Sequence, residues 1–254
     1  MTMAYEAAGW RQYRMSWHDP HRQIEPLERE IAVVDAGVTA LVEAGVLPHA
    51  GYDHARLLAH RAAVAEQFEI PWTAISHRMQ RLLYAINAIR RPQVMVAVGI
   101  FCGNTFISNA GAAIGPGACY RAERLIGLEI RPAEADRARR NVERFRDGDM
   151  HFPAEILGQD GIGWLQKVEG TIDLLYLDAD GPRDSGKSIY LDLLTACWHA
   201  LQPGSLVLAH NSVNAAHSMA DYLATVRDPG CFRQSVNMIV DDQGLEVSQF
   251  RMCD

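Results

Sequence analysis

Two groups of residues could carry chemistry. The first is Gly99-Ile100-Phe101-Cys102-Gly103-Asn104-Thr105 with Glu129 downstream; the second gathers Asp178, Asp180, His210 and Asn211. Gly99 permits a tight turn, Gly103 lets backbone approach a ligand, and a carboxylate about 20 or more residues onward accepts hydrogen bonds from ribose hydroxyls. Phe101 stands where a dinucleotide fingerprint carries its middle glycine, so a pyrophosphate is disfavoured here. A phosphate-free nucleoside cofactor tolerates the bulky side chain. The second group is expected to converge on neighbouring strand ends, where carboxylate, imidazole and amide do acid–base work or hold a cation.

A third pattern competes with the first. Gly181-Pro182-Arg183-Asp184-Ser185-Gly186-Lys187-Ser188 satisfies the phosphate-loop pattern between a strand and a helix, which makes a nucleotide triphosphate site an alternative. Asp178 and Asp180 beside it raise the electrostatic cost of holding phosphates. The next strand, Ser205 to His210, also ends without an aspartate for magnesium. The competing reading is a loop whose Lys187 caps or reaches an acid. Cys102, inside the glycine turn, is read as a packing residue.

These residues need elements to place them. Val94 to Val98 reads as a buried strand, Asn104 to Ile114 as a helix, and Leu125 to Leu128 as the strand that delivers Glu129. Alternation continues with helix Pro132 to Phe145, strand Ala154 to Leu157, helix Ile162 to Val168, strand Ile172 to Asp178, helix Ser188 to Leu201, strand Ser205 to His210 and helix Asn214 to Val226. Phe232 to Val240 and Leu245 to Phe250 flank the turn cluster Asp241-Asp242-Gln243-Gly244 and predict an antiparallel hairpin. The class is α/β: seven strands, mostly parallel, with helices on both faces. Residues 1–90 show helical spacing and no strand signal, and form a helical N-terminal cap; residues 91–254 form the cofactor-binding domain. Within the cap, the aromatic stretch Trp10 to Arg22 serves either as a lid, with Tyr13, Trp17, His18 or His21 touching substrate, or as the contact arm of a homodimer.

Composition narrows the class. The chain has 254 residues, 48% of them apolar, with a formal charge of -7, which leaves no positive surface for nucleic acid. Arg137 to Arg146 is interleaved with Glu134, Asp136 and Glu143 and reads as a solvated helix face. No apolar run approaches the roughly 20 residues of a membrane span, and Met1 to Trp17 lacks a secretory signature. Five cysteines, odd in number and never in C-x-x-C spacing, argue against a disulfide framework or zinc knuckle and suit the cytoplasm.

Motif by motif, the chain from Pro71 onward resembles the catechol O-methyltransferase-like branch of class I S-adenosylmethionine-dependent methyltransferases, which have a Rossmann-like fold. The resemblance implies a cofactor site built from Gly99, Phe101, Gly103, Asn104, Thr105, Glu129, Gln159, Asp160 and Asp178. In it Thr105 binds the methionine carboxylate, Glu129 the ribose, and Gln159-Asp160 brackets adenine. Thr73 and Ser76 fall in the family's cofactor-covering segment. Leu177-Asp178 and Leu208-Ala209-His210-Asn211 match the two metal-ligand motifs, so Asp178, His210 and Asn211 are the ligand set if a divalent metal is used. His210 replaces an aspartate there, which suits an oxygen-only magnesium site poorly. Ala97 stands where the family commonly has glutamate, and Lys187 lies further from Asp178 than the family's lysine. The implied activity is methyl transfer to a small molecule, most simply to oxygen. The altered metal motif leaves open an intramolecular cyclase that closes azetidine-2-carboxylate and releases methylthioadenosine.

Overall fold

The computed structural model describes residues 3–146 and 152–252. A strand, β1 (Met3–Glu6), precedes three helices, α1 (Leu27–Glu43), α2 (His54–Gln67) and α3 (His77–Arg90). Alternation then runs β2 (Val94–Val98), α4 (Asn104–Ala110), β3 (Arg124–Leu128), α5 (Pro132–Glu143), β4 (Ala154–Leu157) and α6 (Gly161–Leu165). It continues with β5 (Ile172–Leu177), α7 (Ile189–Ala196), β6 (Leu201–His210) and α8 (Ala220–Val226), and closes on the hairpin β7 (Phe232–Ile239) and β8 (Leu245–Phe250).

All strands join one sheet in the order β1-β7-β8-β6-β5-β2-β3-β4. Pairing is parallel except at β8, which runs antiparallel to both β6 and β7. β2 pairs with β3 on one side and β5 on the other, so the strand order reverses there. At such a point the loops on either side diverge and leave a crevice beyond the strand C-termini.

The seven expected strands are present, and an eighth corrects the reading of residues 1–90 as purely helical. β1 is only four residues long and mostly exposed, so it carries no alternation that a sequence could show. Tertiary contacts hold it: it pairs in parallel with β7, and Tyr5 Oη donates to Val33 O at 2.6 Å.

Apolar side chains pack on both faces of the sheet. Val34 and Leu41 of α1 and Met79, Leu82 and Ile86 of α3 share one core with Met95, Ala97, Leu174 and Leu208. On the other face Val96, Leu175 and Val207 meet Leu165, Leu193 and Leu223 of α6, α7 and α8. Two buried ion pairs lock α1 to its neighbours: Glu30 receives Arg61 at 2.9 Å and Arg81 at 2.6 Å. Cys102, Cys119 and Cys197 are free thiols. Cys231 is disulfide-bonded.

Candidate active site

Glycine geometry shapes the first wall of the crevice. Gly99 has φ 80, and a Cβ there would lie 2.4 Å from Ala179 N and Cα, so only glycine lets the β2 turn meet the β5 loop. Gly103 has φ 92 and would place a Cβ 3.2 Å from Ala138 Cα, packing the start of α4 against α5. Gly103 shapes the turn and is not among the residues that line the cavity. Phe101, at φ 51, projects its ring to 4.6 Å from that of Trp72, centroid to centroid, with the Arg131 guanidinium 5.2 Å from the Phe101 ring.

Glu129 follows β3 and is 4% exposed. Its Oε2 accepts from Phe101 N at 2.8 Å, and its Oε1 accepts from Arg131 N at 3.1 Å and Nε at 3.0 Å. The carboxylate thus faces the crevice and is oriented by the glycine turn itself. Each oxygen is an acceptor with more than one lone pair, and Oε2 keeps capacity for a ligand hydroxyl.

The crevice is a cavity of about 620 Å³. Gly99, Phe101, Asn104, Thr105, Glu129, Gln159, Asp160, Asp178 and Thr73 all line it. Asp160 also caps α6, accepting from Gly163 N at 2.7 Å. Thr73 Oγ1 accepts from Asn104 Nδ2 at 2.8 Å, tying the covering segment to α4. The Ser76 hydroxyl caps α3, accepting from Met79 N at 3.1 Å, and donates to Asp241; Ser76 is not among the residues that line the cavity. Of the four residues expected in a lid, only Trp17 reaches the wall, its carbonyl accepting from Thr73 N at 2.9 Å. Tyr13 is buried under the Arg78 guanidinium, 4.1 Å from the ring. His18 and His21 are exposed and do not line the cavity. Tyr176 of β5 is buried in the core.

The second chemical group gathers around Asp178. Its Oδ1 accepts from Lys187 Nζ at 3.1 Å and from His210 Nδ1 at 3.2 Å, and Thr105 Oγ1 lies 3.5 Å from Oδ2. Lys187 Nζ also donates to Asp178 O at 3.0 Å and pairs with Asp180 Oδ1 at 3.2 Å. Burial pushes the Asp178 carboxyl up, but Lys187 and His210 outweigh it and hold the group below its ordinary value. Burial likewise pulls Lys187 down, and Asp178 and Asp180 reverse the sign, so the amine stays an ammonium at neutral pH. His210, a candidate for acid–base work or metal ligation, is fully buried and is not among the residues that line the cavity. It acts on Asp178 instead. Lys187, remote in sequence, does reach this acid, and that commitment leaves no free lysine for the phosphate-loop alternative.

Asn211, at φ 68, donates through Nδ2 to Asn214 Oδ1 at 3.1 Å and to Gln243 Oε1 at 3.0 Å. Asn214 Nδ2 donates to the same Gln243 oxygen at 2.7 Å. These amides, with Ser218, make an uncharged wall and hold the chain after β6 in turns, so α8 starts at Ala220 rather than at Asn214. Sequence reasoning missed Trp72, Arg131, Asn214, Ser218 and Gln243 as cavity residues. Gln243 sat inside a turn cluster, and only the fold shows that this turn abuts β6.

The residues do not fit the divalent cation that the resemblance implies. Among the described residues no cluster of three histidine, cysteine or carboxylate side chains could hold an ion. Asp178 Oδ1 is already taken by Lys187 and His210. The Lys187 ammonium on that oxygen repels a second cation placed beside it.

No family profile matches the chain, and no curated protein matches it. Solved structures do. A Klebsiella pneumoniae protein assigned as an O-methyltransferase superposes with a TM-score of 0.59 at 14% identity, covering 87% of this chain and 97% of that one. A Bacillus cereus O-methyltransferase in complex with S-adenosylhomocysteine gives 0.57 at 16% identity, over 78% of this chain and 92% of the other. The Streptomyces achromogenes O-methyltransferase TomG, of tomaymycin synthesis and in complex with S-adenosylmethionine, gives 0.56 at 18% identity, over 90% and 100%. The chain shares its fold with these methyltransferases.

Proposed function

We propose that the chain is an S-adenosylmethionine-dependent methyltransferase acting on a small molecule, most simply on an oxygen. The observation that carries this reading is the cavity of about 620 Å³ whose one end holds Glu129, the Gly99 turn and Gln159-Asp160, and whose other end holds Asp178 and the amide wall. That volume suits a nucleoside cofactor with a small acceptor. The acid at the β3 end receives ribose hydroxyls, and Asn104, Thr105 and Thr73 serve the methionine end. The ring faces of Phe101 and Trp72 and the nearby carboxylates favour a cationic ligand. When bound, S-adenosylmethionine supplies a methyl group whose bond to sulfur breaks, the electron pair staying on sulfur, as a bond to the acceptor oxygen forms.

The chain's own residues orient and deprotonate. Asp178 Oδ2 carries only the long Thr105 contact and is free to accept a hydrogen bond from the acceptor hydroxyl. That proton becomes strongly acidic as the oxygen is alkylated, so a carboxylate held below its ordinary pKa still takes it. Trp17 and Trp72 close the mouth against water. The cytoplasm is the proposed location, and no helix among the described residues is long and apolar enough to cross a membrane. The exposed edge strand β1 offers backbone groups through which two copies could pair, a reading that light scattering tests.

The test is incubation with S-adenosylmethionine labelled in its methyl group, alone and with small hydroxylated acceptors, followed by mass analysis. Methyl transfer yields S-adenosylhomocysteine and a labelled product. Methylthioadenosine formed without acceptor would overturn the reading in favour of the cyclase, which no observation in the structure favours.

A further inference from the structure

Lys187 and His210 together occupy the face of Asp178 that a cation would need. The loop before α7 turns back on itself: Gly181 N donates to Gly186 O at 2.7 Å, Gly186 takes φ 53, and Lys187 N donates to Ser218 Oγ at 3.3 Å. That reversal drives the lysine inward until only 10% of its side chain is exposed. Its three ammonium protons meet three oxygens, Asp178 O at 3.0 Å, Asp178 Oδ1 at 3.1 Å and Asp180 Oδ1 at 3.2 Å. His210, 0% exposed, takes the remaining direction of Asp178 Oδ1 at 3.2 Å.

We propose that in this chain the Lys187 ammonium and the His210 imidazole stand in for a divalent cation, so that the site works without one. The inference rests on the methyltransferase reading only for its meaning in catalysis; the exclusion of the ion is a property of the folded chain itself. Lys187 is a positioning residue: it fixes Oδ1 of Asp178 and leaves Oδ2 directed to the acceptor. An acceptor is then held by single hydrogen bonds to Asp178 and the amides of Asn211, Asn214 and Gln243, not by chelation through two neighbouring oxygens. The proposal also explains two departures from the metal-binding pattern at once. Histidine at 210 bonds a carboxylate without adding a second negative charge, and the lysine supplies the positive charge that a cation would have brought.

Mn²⁺ titration of the full chain, followed by the electron paramagnetic resonance signal of free Mn²⁺, tests it. The native protein is expected to leave that signal undiminished, as is Lys187→Arg, which keeps the charge. Lys187→Met combined with His210→Asp removes the ammonium, restores an acidic ligand and is expected to gain at least tenfold in Mn²⁺ affinity, a gain that Asp178→Asn then abolishes. One Mn²⁺ bound per native chain, lost in Asp178→Asn, overturns the proposal. So does a folded double variant, checked by circular dichroism, that gains no affinity. If the double variant does not fold, the native titration against Lys187→Met alone decides in the same sense. Calorimetry with S-adenosylhomocysteine on the same samples separates the two claims, because failure to bind it sinks the methyltransferase reading whatever Mn²⁺ does.

Discussion

At Gly99 a single methyl group decides whether two loops can meet. With φ 80 and Ala179 backbone atoms 2.4 Å from where a Cβ would sit, Gly99→Ala must push the β2 turn away from the loop that carries Asp178. The expected cost is about 1–3 kcal/mol by urea unfolding, because backbone rather than a flexible side chain must give way. Glu129 makes a subtler case, since its carboxylate both orders the turn through Phe101 N and faces the cavity. Glu129→Gln is expected to weaken S-adenosylhomocysteine binding about tenfold, which is roughly 1.4 kcal/mol for the loss of charge-assisted acceptance. Calorimetry reads it; an unchanged affinity would remove Glu129 from the ribose role. Their positions were legible in the sequence because the constraint on each is local: a positive φ writes glycine, and an acid that follows a strand falls at the carboxyl edge of the sheet. Gln243 was not legible as a site residue, and Lys187 was legible only as a lysine that caps or reaches an acid. Their place depends on how a loop folds back in three dimensions, and the lysine's local sequence resembled a phosphate loop instead.

Elements matter where the N-terminal region meets the cavity. The strap before α1 is fastened by the bond from Thr73 N to Trp17 O, while the Trp17 ring remains 46% exposed at the mouth. Trp17→Ala is therefore expected to change stability by no more than about 0.5 kcal/mol yet to weaken ligand binding measurably, an outcome that chemical unfolding and calorimetry check together. Deeper in, Glu30 anchors α1 to Arg61 of α2 and Arg81 of α3. Burial raises the Glu30 carboxyl, but the two guanidiniums outweigh it and leave the folded group below its ordinary value. The sign follows: the stabilisation is complete above the unfolded glutamate pKa and is lost as pH falls through the lower folded value. Thermal melts between neutral pH and pH about 3 should show that acid-side loss, and Glu30→Gln should flatten this part of the profile while costing about 3–5 kcal/mol at neutral pH by leaving buried guanidiniums unpaired. A profile identical to that of the native chain would contradict the assignment. Helix and strand types were readable from periodicity, but their ends were not. α8 starts late because Asn211, Asn214 and Gln243 capture one another, a contact between β6 and the hairpin that no local pattern announces.

For the whole molecule, alternation of strand and helix after residue 94 sufficed to predict the mostly parallel sheet and its terminal hairpin, whereas the strand order that reverses at β2 came from the fold. What it could not define was the eighth strand, since Met3–Glu6 is short, mostly exposed and held at the edge by β7 and by one tyrosine hydrogen bond. The result is a sheet whose two faces are both packed and whose carboxyl edge opens into a cavity of about 620 Å³. The central claim is that this cavity takes a sulfonium nucleoside and not a nucleoside triphosphate. Calorimetric titration of the full chain with S-adenosylhomocysteine and, separately, with magnesium ATP tests it most directly. The account predicts one S-adenosylhomocysteine site per chain and no heat from ATP; ATP binding abolished by Lys187→Ala, with no S-adenosylhomocysteine binding, would contradict it.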